Sequence, residues 1–351
     1  MSAPAAHTLH RGLGPWASAS IVVGTIIGTG VFLKTAVMAQ LGGSPMWVLA
    51  AWGVAGVLSF AGAMTYSELG GMFPASGGEY IYLRHGYGPF MGYLYAWNRF
   101  WIATPGSIAA YGVGSATFLS TAVPIERLGG VKVVAIALVL LFTAVNCLNV
   151  RAGGRLQTAL TVMKVVMILG LAAGALLAPR GSWGNFASSS GGVFPGFGAF
   201  GAMVLAALWA YDGWNNLPMA AGEIRDPQRN LPRATIYGAL AVLGMYALVN
   251  LGYFHALPFT EVVTSSSNQF PDAPAVAAKA ATQFLGGTAQ AVLAIAMTIS
   301  ALSAMNGSML TGARVPYAVA RDNLAPKQLA TLSERARIPA VAVVVQGVLS
   351  I

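Results

Sequence analysis

Apolar residues in this chain come in long runs separated by short polar turns, without sustained alternation, so the pattern predicts helices rather than strands. The runs cover residues 16–40, 46–72, 90–119, 131–149, 156–177, 197–222, 234–257 and 289–311. Each approaches or exceeds the length a helix needs to cross about 30 Å of hydrocarbon. Gly42-Gly43-Ser44-Pro45 predicts a tight turn, and the link from Phe73 to Pro89, dense in Gly, Pro and Ser, predicts a loop. Residues 180–192 form a polar outer loop, while residues 273–284 have helical composition and are expected to cap the bundle from outside. A ninth apolar run begins after Pro339 and ends with the chain at Ile351. That stretch is too short to span a bilayer, so the sequence reads as an incomplete chain of eight full transmembrane helices and the start of a ninth.

Two of the runs are interrupted. Gly24-Thr25-Ile26-Ile27-Gly28-Thr29-Gly30 lies in the middle of the first. Taken alone it fits a GxxxG packing face. It also fits a broken helix, whose freed N–H and C=O groups are tolerated at mid-membrane only where they line a cavity. The sixth run holds a second interruption, Trp209-Ala210-Tyr211-Asp212-Gly213-Trp214-Asn215-Asn216 followed by Pro218, where poor helix formers and an ionisable residue fall together. Breaks in segments one and six, five segments apart, favour the broken-helix reading. They are the layout of an inverted repeat with its site where the broken helices meet. The expected fold is thus an all-α polytopic membrane protein with an inverted-repeat (5+5) transporter fold and discontinuous helices one and six. Residues 1–12 form a cytoplasmic N-terminus, 13–178 the first repeat, 179–196 an outer loop, and 197–351 a truncated second repeat.

Composition agrees: 56% of the 351 residues are hydrophobic and 8% charged, against about 25% charged in soluble domains. The net charge of +9 would suggest nucleic acid in a soluble protein; here its distribution gives orientation, and no nucleic-acid partner is expected. Arg11, Arg84, Arg151, Arg155, Arg225, Arg229, Arg233, Arg314, Arg321, Lys327, Arg335 and Arg337 fall on one side of the expected bundle. Only Lys34, Arg127, Lys132, Arg180 and Lys279 fall on the other, which places the N-terminus in the cytoplasm of a multi-pass cell-membrane protein. Cys147 is the one cysteine and the four histidines are scattered. No disulfide framework, metal site or cofactor is therefore expected, and without a phosphate loop or paired catalytic carboxylates neither is an enzyme.

A half-helix starting near Gly28 presents the N–H groups of Thr29 and Gly30 at the positive end of its dipole, which suits a carboxylate. Half-helices that end near Ile26, Trp209 and Asp212 leave carbonyls that suit an ammonium. Together they describe a receptor for a zwitterion.

At this point the motifs become recognisable. Residues 24–32, Tyr66-Ser67-Glu68-Leu69-Gly70, Phe73-Pro74-Ala75-Ser76-Gly77-Gly78-Glu79-Tyr80, residues 210–215 and Asn230-Leu231-Pro232-Arg233-Ala234 occur in order along the chain. They resemble the amino acid/polyamine/organocation (APC) superfamily, above all its L-type amino acid transporter branch. The resemblance implies a twelve-helix secondary transporter of amino acids, working by alternating access and by sodium-independent exchange. A proton-coupled amino acid or polyamine symporter is the alternative, and a channel a remoter one. It further implies that the substrate carboxylate rests on Gly28, Thr29 and Gly30, with the ammonium against Ile26, Trp209 and Asp212. Trp209 takes the place of the family's outer aromatic gate; an interfacial aromatic is the plainer reading. Asp212 stands where animal L-type members have glycine, so it either attracts a cation or caps the helix through the N–H of Trp214 or Asn215. Thr104 and Ser107 are weaker candidates for side-chain contact.

Lys164 sits in the apolar context Thr161-Val162-Met163-Lys164-Val165-Val166. The resemblance implies that its ammonium faces the first interruption, where sodium-coupled relatives bind an ion; Ser300, Ser303 and Asn306 of the eighth run are its expected neighbours. The plainer reading is a lysine snorkelling to an interface. Arg99 is either a cavity residue or a cytoplasmic-end charge, and Arg225, Asp226, Arg229 and Arg233 are expected to form a network with Glu223 or Glu68. Animal L-type members bond a single-span glycoprotein through a cysteine in the outer loop after segment three. Residues 120–130 contain no cysteine, so no such disulfide-linked heavy-chain partner is expected; the expected partners are the amino acid substrate and the lipid bilayer.

Overall fold

The computed structural model describes residues 9–187 and 192–351. Most of the expected N-terminus 1–12 and residues 188–191 of the expected outer loop therefore lie outside the described residues.

Helix α1 (Pro15–Ile26) opens with a proline in its first turn, where the missing N–H costs nothing. It stops before Gly28, and α2 (Gly30–Gly42) resumes until Gly43 turns the chain at φ 62°. Ser44 caps α3 (Pro45–Met72) by accepting from the Met46 N–H at 3.3 Å. The glycine-rich link after α3 is not all loop. Glu79–Tyr87 forms α4, because Gly78 (φ 54°) and Gly88 (φ 89°) bracket the helix instead of breaking it. Glu79 at its start and Arg84 and His85 in its last turn complement the helix dipole.

The third apolar run folds as α5 (Pro89–Asn98), a π turn (Arg99–Ala103) and α6 (Thr104–Ser120). Pro105 lacks the N–H that would bond the Trp101 carbonyl, and the ladder resets with the Thr104 N–H on Arg99 O. α7 (Gly130–Leu148) is followed after one residue by α8 (Val150–Leu176), which Asn149 caps by accepting from the Ala152 N–H at 2.8 Å. Arg151 and Arg155 thus belong to the first turns of α8, not to a loop.

α9 (Phe197–Tyr211) ends at an extended Asp212, and the chain re-enters helical geometry only as a 3-10 turn over Leu217–Glu223. α10 (Pro227–Ala256) starts well before the expected residue 234. Pro232 removes only one bond, to exposed Gln228 in the opening turns, so it does not stop the helix. α11 (Phe259–Val263) and α12 (Val276–Leu285) follow on the expected outer side, and the Gln40 amide holds α11 by donating to Val263 O at 2.7 Å. The last helices are α13 (Ala289–Gly312), α14 (Arg314–Arg321) and α15 (Ala340–Leu349).

Six helical stretches among the described residues are long and apolar enough to cross a membrane: Pro15–Gly42, Pro45–Met72, Gly130–Leu148, Val150–Leu176, Pro227–Ala256 and Val276–Arg321. Two of the eight expected spans are not regular helices of that length, the third because of its π turn and the sixth because of its break. α10 forms the spine of the bundle, packing on α3, α8 and α1, while α13 packs on α6 and α8 and α2 on α9. Ile21, Val22, Ile27, Trp52, Met203, Tyr246 and Tyr253 are buried between them.

On the expected cytoplasmic side the ion pairing differs from expectation. Glu223 is bound by Arg314, with Nε to Oε2 at 2.8 Å and Nη2 to Oε1 at 2.9 Å, both side chains being fully enclosed. Glu223 ends the 3-10 turn directly against the start of α14, whereas Arg225 lies outside and donates through Nε to Arg11 O at 3.4 Å. The chain just before α1 also bonds here, Leu13 N–H to Glu223 O at 3.0 Å and Arg225 N–H to Leu13 O at 2.9 Å.

A candidate zwitterion site between two broken helices

The two breaks face one another across a cavity of about 400 Å³. The first break contributes Thr25, Ile26, Gly28, Thr29 and Gly30, and the second contributes Trp209, Ala210 and Asp212. Ala103, Gly106, Ser107, Ala110 and Tyr111, from the π turn and α6, close a third wall.

Backbone bonding explains why this space is polar. The Ile27 N–H closes α1 on Val23 O at 3.0 Å, and the next bonded N–H is that of Phe32, on Thr29 O at 3.2 Å. The N–H groups of Gly28, Thr29 and Gly30 therefore have no backbone partner among the described residues, and they stand at the N-terminus of α2. A Cβ at Gly28 would meet nothing within 4 Å, so this residue borders open space. Three such donors at a helix start form an anion site. Opposite them the carbonyls of Trp209 and Asp212 have no backbone partner among the described residues. The carbonyls of Ile26 and Ala210 both accept from the Tyr246 hydroxyl, at 3.3 and 3.0 Å, so one buried phenol on α10 ties the two breaks together.

Close approach of the breaks depends on glycine. Gly213 has φ 124°, and a Cβ there would stand 2.6 Å from the Thr25 carbonyl carbon. The Thr25 hydroxyl lies 2.9 Å from Gly213 O, bridging the same gap.

Asp212 is exposed to the cavity and makes no hydrogen bond to the Trp214 or Asn215 N–H among the described residues, which removes the capping reading. Trp209 lines the cavity at 59% exposure, with Lys34 Nζ 4.4 Å from its ring centroid, a cation–π contact. Ser107 lines the cavity, but its hydroxyl is already on Ala103 O at 2.8 Å. Thr104 does not line it: Ala103, Gly106, Ser107 and Ala110 hold the cavity face at helical spacing, and Thr104 is buried against Gly312 of α13.

Lys164 lies immediately behind the first break. It is 1% exposed, and Nζ donates to Gly24 O at 2.9 Å, Ile27 O at 2.5 Å and Ser300 O at 3.1 Å. This excludes snorkelling to an interface: all three ammonium donors are used on backbone carbonyls, two of them on the break itself. The Ser300 hydroxyl reaches the same strip, 3.2 Å from Ile27 O and 2.9 Å from Gly28 O.

Ser303 and Asn306 are not ligands of the ammonium. They lie one and two turns further along α13, in a second polar chain. The Ser303 hydroxyl stands 3.3 Å from Gln157 Nε2 and 3.4 Å from Thr161 Oγ1. Asn306 donates to Gln157 Oε1 at 2.8 Å and accepts from Asn146 Nδ2 at 2.9 Å. This chain explains Gly24, where a Cβ would fall 2.1 Å from Gln157 Nε2. Sequence reasoning passed over Tyr246, Gln157 and Thr161. Gln157, Thr161 and Lys164 recur at helical spacing on one face of α8, which was a readable signal. Tyr246 offered none beyond being a tyrosine in an apolar run.

Arg99, left open between two places, does not line the cavity and donates through Nη2 to Asn216 Oδ1 at 2.5 Å.

Comparison with known proteins supplies the family. A model of the family described as amino acid permease matches residues 13–351. The human b(0,+)-type amino acid transporter 1 is 33% identical over 99% of this chain and 70% of its own length. The serine/threonine exchanger SteT of Bacillus subtilis is 31% identical over 98% of this chain and 76% of its own. The rat large neutral amino acids transporter small subunit 2 is 30% identical over 92% of this chain and 60% of its own. With a polar cavity between two broken helices and a family match over nearly its whole length, the chain is a multi-pass membrane protein that belongs to the amino acid permease family, a family of transporters and not of enzymes.

Proposed function

We propose that this protein is a secondary active transporter that moves amino acids across the cell membrane by alternating access, as a sodium-independent exchanger with its N-terminus in the cytoplasm. The observation that carries the reading is the pairing of unpartnered N–H groups at Gly28, Thr29 and Gly30 with unpartnered carbonyls at Trp209 and Asp212 across one cavity. A free amino acid has the matching charges at the matching ends: its carboxylate takes the N–H groups, and its ammonium the carbonyls with Ile26 O beside them. Trp209, half in the cavity and held by Lys34, is the outer gate in this reading. The Asp212 carboxylate, without a bonded partner among the described residues, extends the range toward cationic side chains.

Lys164 carries the coupling proposal. Its ammonium occupies a ring of carbonyls at the first break, where a bound metal cation would compete for the same oxygens. A fixed charge there makes sodium unnecessary, and the relative SteT is a serine/threonine exchanger. Proton coupling is the second reading, favoured by one observation: no carboxylate pairs with Lys164 among the described residues. No disulfide-linked heavy chain is proposed, since the lone Cys147 sits on α7 and not in the loop after α6.

The test is counterflow in proteoliposomes of the full-length protein, loaded with unlabelled L-serine or L-arginine and given the labelled form outside. Uptake without sodium and without a proton gradient supports exchange. Uptake that needs sodium defeats the proposal for Lys164, and uptake that needs a proton gradient favours symport.

A further inference from the structure

We infer that Glu79 and Arg99 are positioning residues for the second broken helix, each holding one of the two asparagines that follow the break. The inference rests on the transport reading for its consequence, but not for its geometry. Glu79 opens α4, is 5% exposed, and accepts at Oε1 from Asn215 Nδ2 at 2.9 Å. Arg99 opens the π turn and donates to Asn216 Oδ1. Asn215 and Asn216 follow Gly213 after Trp214 alone, with the Asn216 N–H on Gly213 O at 3.2 Å, so side chains gripped there set the backbone that carries the free carbonyls of Trp209 and Asp212. The other end of the π turn, Ala103, lines the cavity. One residue of that turn touches the break and another touches the substrate space.

The cluster is incompletely satisfied. Arg99 Nε and the Tyr82 hydroxyl are buried without a partner among the described residues, while the Tyr95 hydroxyl stands beside the Glu79 carboxylate. A purely structural clamp would use these groups, because each unmade buried bond is costly. Spare donors and acceptors around the asparagines let the grip re-form as the break changes position. Tyr66 of α3, Tyr82 of α4, Tyr95 of α5 and Arg99 of the π turn are the titratable or charged groups that face Glu79. Burial pushes the Glu79 carboxyl above its ordinary range, and the Arg99 guanidinium acts against that shift. Acidification therefore removes the charge that faces Arg99 and loosens the grip.

The test compares wild type, R99Q, R99K and E79Q as monodisperse full-length protein. Amide hydrogen exchange is read at residues 212–216, and affinity is read for L-serine and L-arginine as neutral and cationic probes. We expect faster exchange at 212–216 in R99Q and an affinity loss of about tenfold, mid-range for coupled neighbours. R99K retains one donor for Asn216 and recovers part of both. Wild-type affinity declines as pH falls from about 8 to 5, whereas E79Q, which keeps an acceptor for Asn215 but cannot ionise, loses that dependence. Wild-type exchange in R99Q overturns the inference, as does affinity loss without an exchange change, or an E79Q pH profile that matches wild type. If wild type binds neither probe, the transport reading for these classes fails, while the exchange comparison still decides whether Arg99 holds the break.

Discussion

Replacing Lys164 by methionine removes the ammonium while keeping most of the side-chain volume. The native Nζ donates to Gly24 O, Ile27 O and Ser300 O from a site that is 1% exposed. Two of these bonds fall on the first break, and bonds to a charged group contribute about 1.5–3 kcal/mol each, so the variant withdraws about 3–6 kcal/mol of support from that backbone. The Ser300 hydroxyl can hold only one carbonyl, Ile27 O or Gly28 O, so it replaces part of this. If a third of the loss falls on the geometry of the Gly28–Gly30 N–H groups, about 1–2 kcal/mol of substrate affinity goes with it, close to a tenfold change. The assay is equilibrium binding of L-serine and L-arginine together with thermal unfolding in detergent. We expect K164M to lose both affinity and counterflow while remaining monodisperse. Native affinity and native counterflow in a folded K164M would refute the reasoning, because the lysine would then be a packing residue only.

Three further outcomes follow from the geometry. Y246F deletes the hydroxyl shared by Ile26 O and Ala210 O, and should weaken binding by about 1 kcal/mol, roughly fivefold, with little change in melting temperature. G24A drives a Cβ to within 2.1 Å of Gln157 Nε2 and should destabilise the bundle by about 1–3 kcal/mol, seen as a lowered melting temperature. R314Q leaves Glu223 buried without its cation and should cost about 3–5 kcal/mol, while E223Q combined with R314Q should recover part of that stability.

Much of this was legible in the sequence because the bilayer restricts what an apolar run can become. The helical runs, both breaks and helix α12 lie close to where hydrophobic length, helical composition and helix-breaking residues place them. The faults came where local rules meet packing. Gly78 and Gly88 read as turn residues inside a loop, yet at φ 54° and 89° they are the two ends of α4. Thr104 and Ser107 read alike as contact candidates, but the helical spacing of Ala103, Gly106, Ser107 and Ala110 along the cavity leaves only Ser107 on its wall. Ser303 and Asn306 shared a helix with Ser300, but only Ser300 lies level with Lys164; the register of α13 against α8 decides that, and no local pattern encodes it. The partner of Glu223 was missed because Arg314, distant in sequence, reads as a loop charge until α14 is folded against the 3-10 turn.

The central claim is that the two breaks form one zwitterion site whose coupling cation is the protein's own lysine. Counterflow of labelled L-serine and L-arginine into proteoliposomes preloaded with the unlabelled form, in choline and in sodium medium, tests it most directly. The account predicts equal uptake in both media for wild type and its loss in K164M. Uptake confined to sodium medium, or unchanged uptake in K164M, would contradict it.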